Sequence, residues 1–378
     1  MDEGQSGDSL SFEEMASPEF VIHQVGQLPP SIQHQVMRQM DGTSLVTLSS
    51  VSQEWVEAIR TANILGDKCK VFLDGTMMYI QIRRAFSKEE TQVLLEVYVL
   101  PDEQGNLNKL NLNTAISPDV ALLTVTEVEE GDDIRVKWRD NAVGMRSWLD
   151  RLMGMFHVSK IDALFVESDG FSPQSIIETL AEINIEKTVF GLVSSETAQL
   201  LLLAMPCVKN VAFLENPFAN EQGTINQVLA VMISIKNYRS IALDGYTSKD
   251  LDLLLETNAE FITIGRNTFT SRDLNRFLKL WMKGANRRLK FMEINIGNGR
   301  DGAGVVEQDA VFRGIKAQAN GDAAVTTIHV PFEKTGEIKP RNIEGGCRIM
   351  SCATCFATVV LERDQQGDFT SFIFYCHH

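Results

Sequence analysis

Three glycines, Gly297, Gly299 and Gly302, spell G-x-G-x-x-G directly after an apolar run, with Gly304 beyond. In a dinucleotide-binding unit such glycines let a pyrophosphate rest on a helix N-terminus, and an acid about 20 residues on, here near Asp322, would hold the ribose. This copy comes late in the chain, opens onto VVEQDAVFRGI, a weak helix former, and has no first strand–helix–strand unit around it. It reads as a connecting loop, and no cofactor is expected. Cys347, Cys352 and Cys355, with Cys376-His377-His378, hold one C-x-x-C pair suited to half a zinc site. Adjacent Cys-His-His does not supply the spaced second half, and the pair sits in an apolar run that reads as a strand, so no metal is expected.

Acyl or hydrolytic chemistry would need a Ser or Cys nucleophile with a His and an acid. The six histidines are His23, His34, His157, His329, His377 and His378, and no G-x-S-x-G elbow, kinase glycine loop or phosphate-binding P-loop accompanies them. Glu129-Glu130 and Asp132-Asp133 lie in a turn-like stretch and read as solvated charge. No catalytic residue is expected, and the chain reads as a non-enzyme.

The charge balance narrows the partners. Lys and Arg total 35 against 50 Asp and Glu, a formal charge of −15. A surface this acidic repels phosphate backbones and anionic lipid heads, so nucleic acid and membrane are not expected partners. The basic cluster Arg287-Arg288 with Lys283 and Lys290 reads as a solvated helix end favoured by the helix dipole. The opening MDEGQSGDSLSFEEM lacks the basic start and apolar run of a secretory signal. No stretch reaches the roughly 18 apolar residues that a bilayer span requires. A cytoplasmic or nuclear location is expected, with the six cysteines as reduced thiols; Cys69 and Cys207 read as core filler.

Behind these side chains the chain changes rhythm several times. An acidic, apolar-poor tail precedes a helical segment from Leu28 to about residue 63. A β-rich stretch follows, with KVFLDGTMMYIQI, TQVLLEVYVL, NLNKLNLN and IRVKW separated by turn residues. From Met145 to Ile296 a β-type run alternates with a capped amphipathic helix. The runs start at Ile161, Glu186, Val208, Tyr238, Ala259 and Leu289. Ser172-Pro173, TSKD (Thr247–Asp250) and TSRD (Thr270–Asp273) supply helix starts. Leu274, Phe277, Leu278 and Trp281 form one apolar stripe that Gly284 closes. Units of about 25 residues cannot bury their own apolar faces, whereas stacked copies can. A βα solenoid of leucine-rich-repeat type is therefore expected, the alternative being a doubly wound parallel sheet. After Ile296 come a Gly-rich loop, a helix from Gln308 to Ala317, and the β-like runs AVTTIHV, FATVVLE and FTSFIFYC.

The helical segment LPPSIQHQVMRQMDGTSLVTLSSVSQEWVEAIR divides into three short helices. Ile32, Val36 and Met40 line up on the first, which Asp41-Gly42 stops; Leu45 and Leu48 share a face of the second; Trp55 and Ile59 lie four apart on the third. So small a module cannot hide all of these side chains, each worth on the order of 2 kcal/mol if buried. Leftover apolar surface implies a protein partner.

This segment resembles an F-box: the Leu-Pro opening, the spaced apolar residues, an Asp before a short helix, then Val-Ser-x-x-Trp. The resemblance implies docking on the Skp-type adaptor of a cullin ubiquitin ligase. Leu28, Pro29, Ile32, Val36, Met40, Leu45, Leu48, Val51 and Trp55 match its pattern residues, some facing the adaptor and some forming its core, while Gln53 departs from the usual Arg. Downstream, FTSRDLNRFLKLWMKGANRRLKFMEI resembles the hallmark of the type 2 F-box-associated domain, a family expanded in nematodes. SKIDALFVE, ENPF, NYRSIALDG and DAVFRGIKA add to that likeness. GGCRIMSCATCFATVVLE keeps the family's Gly345-Gly346 and Ala357-Thr358 but lacks its basic-Asp-Gly centre.

The expected fold is thus α+β / α/β: a disordered acidic tail (1–25), a three-helix F-box (26–65), a β-rich middle segment (66–140), a strand–helix, leucine-rich-repeat-like solenoid (141–300) and a small C-terminal cap, partly β (301–378). The resemblance implies a substrate-recognition adaptor that binds the Skp-type adaptor and cullin at one end and an unidentified protein substrate at the other. The alternative is an interaction scaffold with a degenerate F-box. By strand alternation Ile241, Leu243, Ile262, Ile264, Met292 and Ile294 point inward, leaving Asp244, Thr263, Glu293 and Asn295 as the candidate target-binding surface.

Overall fold

The computed structural model describes residues 24–40, 42–75, 77–84, 92–98, 123–127, 135–136, 145–205, 208–215, 231, 233, 236–244, 251–265, 267–296, 306–319, 325–331, 338–351, 355–365 and 369–377. The acidic tail to residue 23, NLNKLNLN, the TSKD helix start, Cys207, Cys352, His378 and the whole glycine-rich loop lie outside them. The chain divides into two compact units.

The first unit runs to Phe72 and includes Thr76–Ile161 and Glu178–Ile183. It opens with α1 (Pro30–Gln39), α2 (Gly42–Val51) and α3 (Gln53–Thr61). Pro30 stands in the first turn of α1, where its missing N–H costs nothing. Ser52, in extended backbone, separates α2 from α3. Strands β1 (Gly66–Asp74, whose last two residues fall in the second unit), β2 (Met77–Arg84), β3 (Gln92–Tyr98), β4 (Leu123–Glu127) and β5 (Arg135–Val136) neighbour one another in chain order. From β2 to β5 each neighbour is antiparallel. Cys69, Val71 and Leu73 of β1 and Met78, Ile80 and Ile82 of β2 are buried, the alternation of a one-faced sheet.

Helix α4 (Met145–Met155) and the two-residue strand β6 (Lys160–Ile161) complete the unit. α4 buries Leu149, Leu152 and Met155, packs against α3, and is followed by Phe156, whose carbonyl accepts from the Gly66 N–H at 2.7 Å. His157, at φ 52°, turns the chain there, and its Nε2 lies 2.9 Å from the Arg60 carbonyl.

The second unit comprises Leu73–Gly75, Asp162–Ile177 and Asn184–His378. Its elements are β7 (Ala163–Ser168), α5 (Pro173–Thr179, whose last two residues fall in the first unit), β8 (Asn184–Ile185), β9 (Lys187–Leu192), α6 (Ser195–Ala204), β10 (Asn210–Phe213), β11 (Ser240–Leu243), α7 (Leu251–Glu256), β12 (Phe261–Ile264), α8 (Ser271–Met282), β13 (Phe291–Asn295), α9 (Gln308–Val311), β14 (Ala317–Ala319), β15 (Val325–Pro331), β16 (Ile338–Glu344), β17 (Cys347–Met350), β18 (Phe356–Arg363) and β19 (Phe369–His377). β7, β9, β10, β11, β12 and β13 are parallel neighbours in chain order, with no reversal of order among them. β19, β18, β17 and β14 then extend the sheet antiparallel, while β15 and β16 form a separate hairpin.

The helix expected from Gln308 to Ala317 ends at Val311. Gly314 adopts φ 73°, a left-handed turn that breaks helical continuity, and residues 317–319 pair with β17 instead. By contrast TSRD folds as read: Thr270 Oγ1 accepts from the Asp273 N–H, and Asp273 Oδ2 accepts from the Thr270 N–H at 2.9 Å, both halves of a capping box. Thr270→Ala is expected to cost about 1 kcal/mol, read as a lower urea midpoint with unchanged slope; no shift would show the cap to be idle.

Candidate docking surfaces

The nine F-box pattern residues divide by burial. Leu45 and Leu48 are 0% and 2% exposed and form the interior of the helical cluster with Met37, Val46, Val56 and Ile59. Ile32 and Val51 are 40% and 52% exposed, Pro29 is exposed, and Leu28, Val36, Met40 and Trp55 are half-buried. The stripe of Ile32, Val36 and Met40 is thus not the core face of α1; the core side chain is Met37, which pattern matching passed over. The aligned apolar residues face outward because α3 meets the other side of the helix, tied by Arg38 Nε donating to the Ala62 carbonyl at 2.8 Å. Gln33 Nε2 donates to the Leu28 carbonyl at 2.9 Å and fixes the Leu-Pro entry.

In the second unit Ile241, Leu243, Ile262, Ile264, Met292 and Ile294 are buried, while Thr263 and Asp244 are half-exposed and Asn295 is exposed. Asn267 Nδ2 holds the Asn295 carbonyl at 2.6 Å and the Gly265 carbonyl at 2.9 Å, bridging the ends of β12 and β13. Glu293 is not an open acid. Arg341 of β16 reaches it at 2.5 Å and Glu362 at 3.0 Å. Ile343 of the same strand joins Phe291, Val360, Ile373 and Tyr375 in one apolar cluster. The β15–β16 hairpin thereby covers β13 on this face. The sequence hides that arrangement, because Arg341 stands 48 residues beyond its partner.

Burial pushes the Cys376 thiol up to about 12, with Cys355 and Trp281 beside it. His377 stacks on Phe356 at 4.3 Å, and its Nε2 lies 2.9 Å from Thr358 Oγ1. Among the described residues no group of three His, Cys, Asp or Glu could hold a metal. A cavity of about 380 Å³ lies beside the Gly345-Gly346 turn, and the titratable groups lining it are Glu344 and Cys347. No described helix is long and apolar enough to cross a membrane.

The basic cluster after α8 is partly neutralised: Lys290 reaches Glu260 at 2.8 Å and Arg288 reaches it at 3.0 Å, while Lys283 and Arg287 are exposed. The Lys290 hydrogen bond holds the Glu260 carboxyl below its ordinary pKa against the opposing pull of burial, with Arg288 adding to it. A depressed carboxylate contributes stability above its unfolded value, about 4.3, and loses it as pH falls through the lower folded value. Glu260→Gln is expected to be less stable than the parent at neutral pH, with the gap closing below about pH 4. Urea midpoints against pH test this; a gap that stays constant would show that the charge pairing contributes nothing.

The F-box domain family model matches residues 26–65, and the F-box associated family model matches residues 232–294, which span β11 to β13 and α8. No curated protein matches. Among solved structures the chain shows a likeness to Thermococcus litoralis Δ1-pyrroline-2-carboxylate reductase in complex with NADH and L-proline, at 9% identity over 70% of this chain and 71% of that one. Its TM-score is 0.17, too low to carry an argument about fold or chemistry. With a matched F-box spanning its helical cluster and a matched associated domain on the parallel strands, the chain is an F-box protein with an F-box associated domain.

Proposed function

We propose that the chain is the substrate receptor of a cullin-type ubiquitin ligase. The F-box binds a Skp-type adaptor, and the F-box associated region holds a protein target. The observation that carries this reading is apolar surface left open on a matched F-box, Ile32 and Val51 among its exposed members. Both matched domains are interaction domains, so ubiquitin transfer belongs to other subunits. The receptor contributes proximity, raising the target's effective concentration beside the loaded conjugating enzyme.

Six parallel strands in chain order support the leucine-rich-repeat-like reading of the second unit, since a doubly wound sheet reverses its strand order. On that reading Asp244, Thr263 and Asn295 belong to the target surface, with Glu293 engaged by Arg341. The proposal includes a cytoplasmic or nuclear site of action, no cofactor, and neither nucleic acid nor membrane as partner. Co-purification from cells tests it: Skp-type adaptor and cullin should both come down with the chain. Recovery of other proteins without them would instead support a scaffold with a degenerate F-box.

A further inference from the structure

The face of α8 opposite its core is wholly cationic. Leu274, Phe277, Leu278 and Trp281 are buried, whereas Arg272, Arg276, Lys279 and Lys283, at i, i+4, i+7 and i+11, are exposed on the other side. Asp273 is the helix's one acid, and the capping box uses it. Arg276 bonds Asp252 at 2.8 Å; among the described residues Arg272, Lys279 and Lys283 have no ion pair.

Helix stability does not explain this stripe. Neighbouring cations along it repel. The dipole favours Lys279 and Lys283 in the last turns but opposes Arg272 in the first. A solvated face in a chain with more acids than bases would mix both signs. The following segment adds to the stripe. Asn275 Nδ2 donates to the Val311 carbonyl at 2.6 Å and the Arg313 carbonyl at 3.0 Å, fastening that segment along α8. Lys279 Nζ lies 3.6 Å from where a Cβ on Gly314 would stand, so the segment that carries the exposed Arg313 and Lys316 passes beside it.

We infer that this stripe docks a short Asp/Glu-rich protein segment. Arg272 to Lys283 spans about 16 Å at 1.5 Å per residue, matched by about five extended peptide residues. The exposed acid Glu307 stands at the helix start, its N–H donating to Ser271 Oγ at 2.8 Å, and bounds the stripe there, and the chain's charge of −15 opposes a long polyanion. A few carboxylates fit these limits, and a nucleic-acid strand does not. The identification of the segment as part of the ligase target rests on the receptor reading; the surface itself does not.

The test is binding of a fluorescein-labelled Asp/Glu-rich peptide to the full chain with its adaptor, read by anisotropy. R272E/K279E/K283E is expected to bind about ten-fold more weakly or worse, with R272K/K279R/K283R near the parent and affinity falling as salt rises. Acetylation footprinting on the unmutated chain gives a second reading, with Lys279 and Lys283 expected to be shielded by the peptide. Equal affinity of the charge-reversed chain, absence of shielding, or preference for single-stranded DNA of matched charge would overturn the inference. Adaptor capture is measured in parallel and separates the two ideas. Its loss with peptide binding intact removes the receptor reading alone, and the reverse removes the stripe alone.

Discussion

Ile32→Asp combined with Val51→Asp is expected to abolish recovery of the Skp-type adaptor while leaving the melting temperature close to that of the parent. Both side chains are already substantially open to water in the free chain, at 40% and 52% exposure, so a carboxylate there costs little until a partner covers it. In a complex the same carboxylate would be desolvated without a partner, at several kcal/mol apiece. Leu45→Ala or Leu48→Ala should behave in the opposite way. These side chains are enclosed, and each truncation should cost about 2–5 kcal/mol of stability through lost burial and a residual cavity. Pull-down and thermal unfolding run on both sets separate docking residues from core residues. Full adaptor recovery by the double aspartate chain would refute the assignment of this face.

Phe277→Ala should cost about 3–5 kcal/mol, among the largest single losses in the second unit. The ring meets Phe374 at 5.5 Å and Phe372 at 6.4 Å, edge to face in both cases, and Trp281 meets Phe374 at 4.9 Å. Edge-to-face pairs contribute about 0.5–1.5 kcal/mol beyond burial. Phe277→Ala and Phe374→Ala should therefore be less than additive when combined, which a double-mutant cycle in urea measures. Additive losses would show that the helix and β19 do not act as one aromatic cluster. Adaptor capture through the F-box is expected to persist in both variants.

The strength of that cluster shows where sequence reading stopped. The α8 stripe, its capping box and its glycine exit are local, with every determinant within about four turns of helix, and they are legible from spacing alone. The strand runs starting at Ile161, Glu186, Val208, Tyr238, Ala259 and Leu289 are legible for the same reason, each overlapping the strand found there. The partner of α8 was not. Phe372 and Phe374 lie about 90 residues further on, and antiparallel pairing of β19 with β13 brings them back beneath the helix.

The same division applies to the docking residues. Composition and spacing named the apolar side chains of the F-box, but spacing could not say which were covered. Ile32, Val36 and Met40 form a sound helical stripe, yet Met37 occupies the interior because α3 packs on that side of α1. Glu293 satisfies the alternation of an outward strand residue, yet Arg341 neutralises it from a hairpin that no local signal places there. Amphipathic period, caps and turn residues are properties of neighbours along the chain, so the sequence by itself determined the elements and their two-sidedness. Which side meets protein and which is left for solvent or a partner depends on contacts between segments tens of residues apart, and only the tertiary structure decided that.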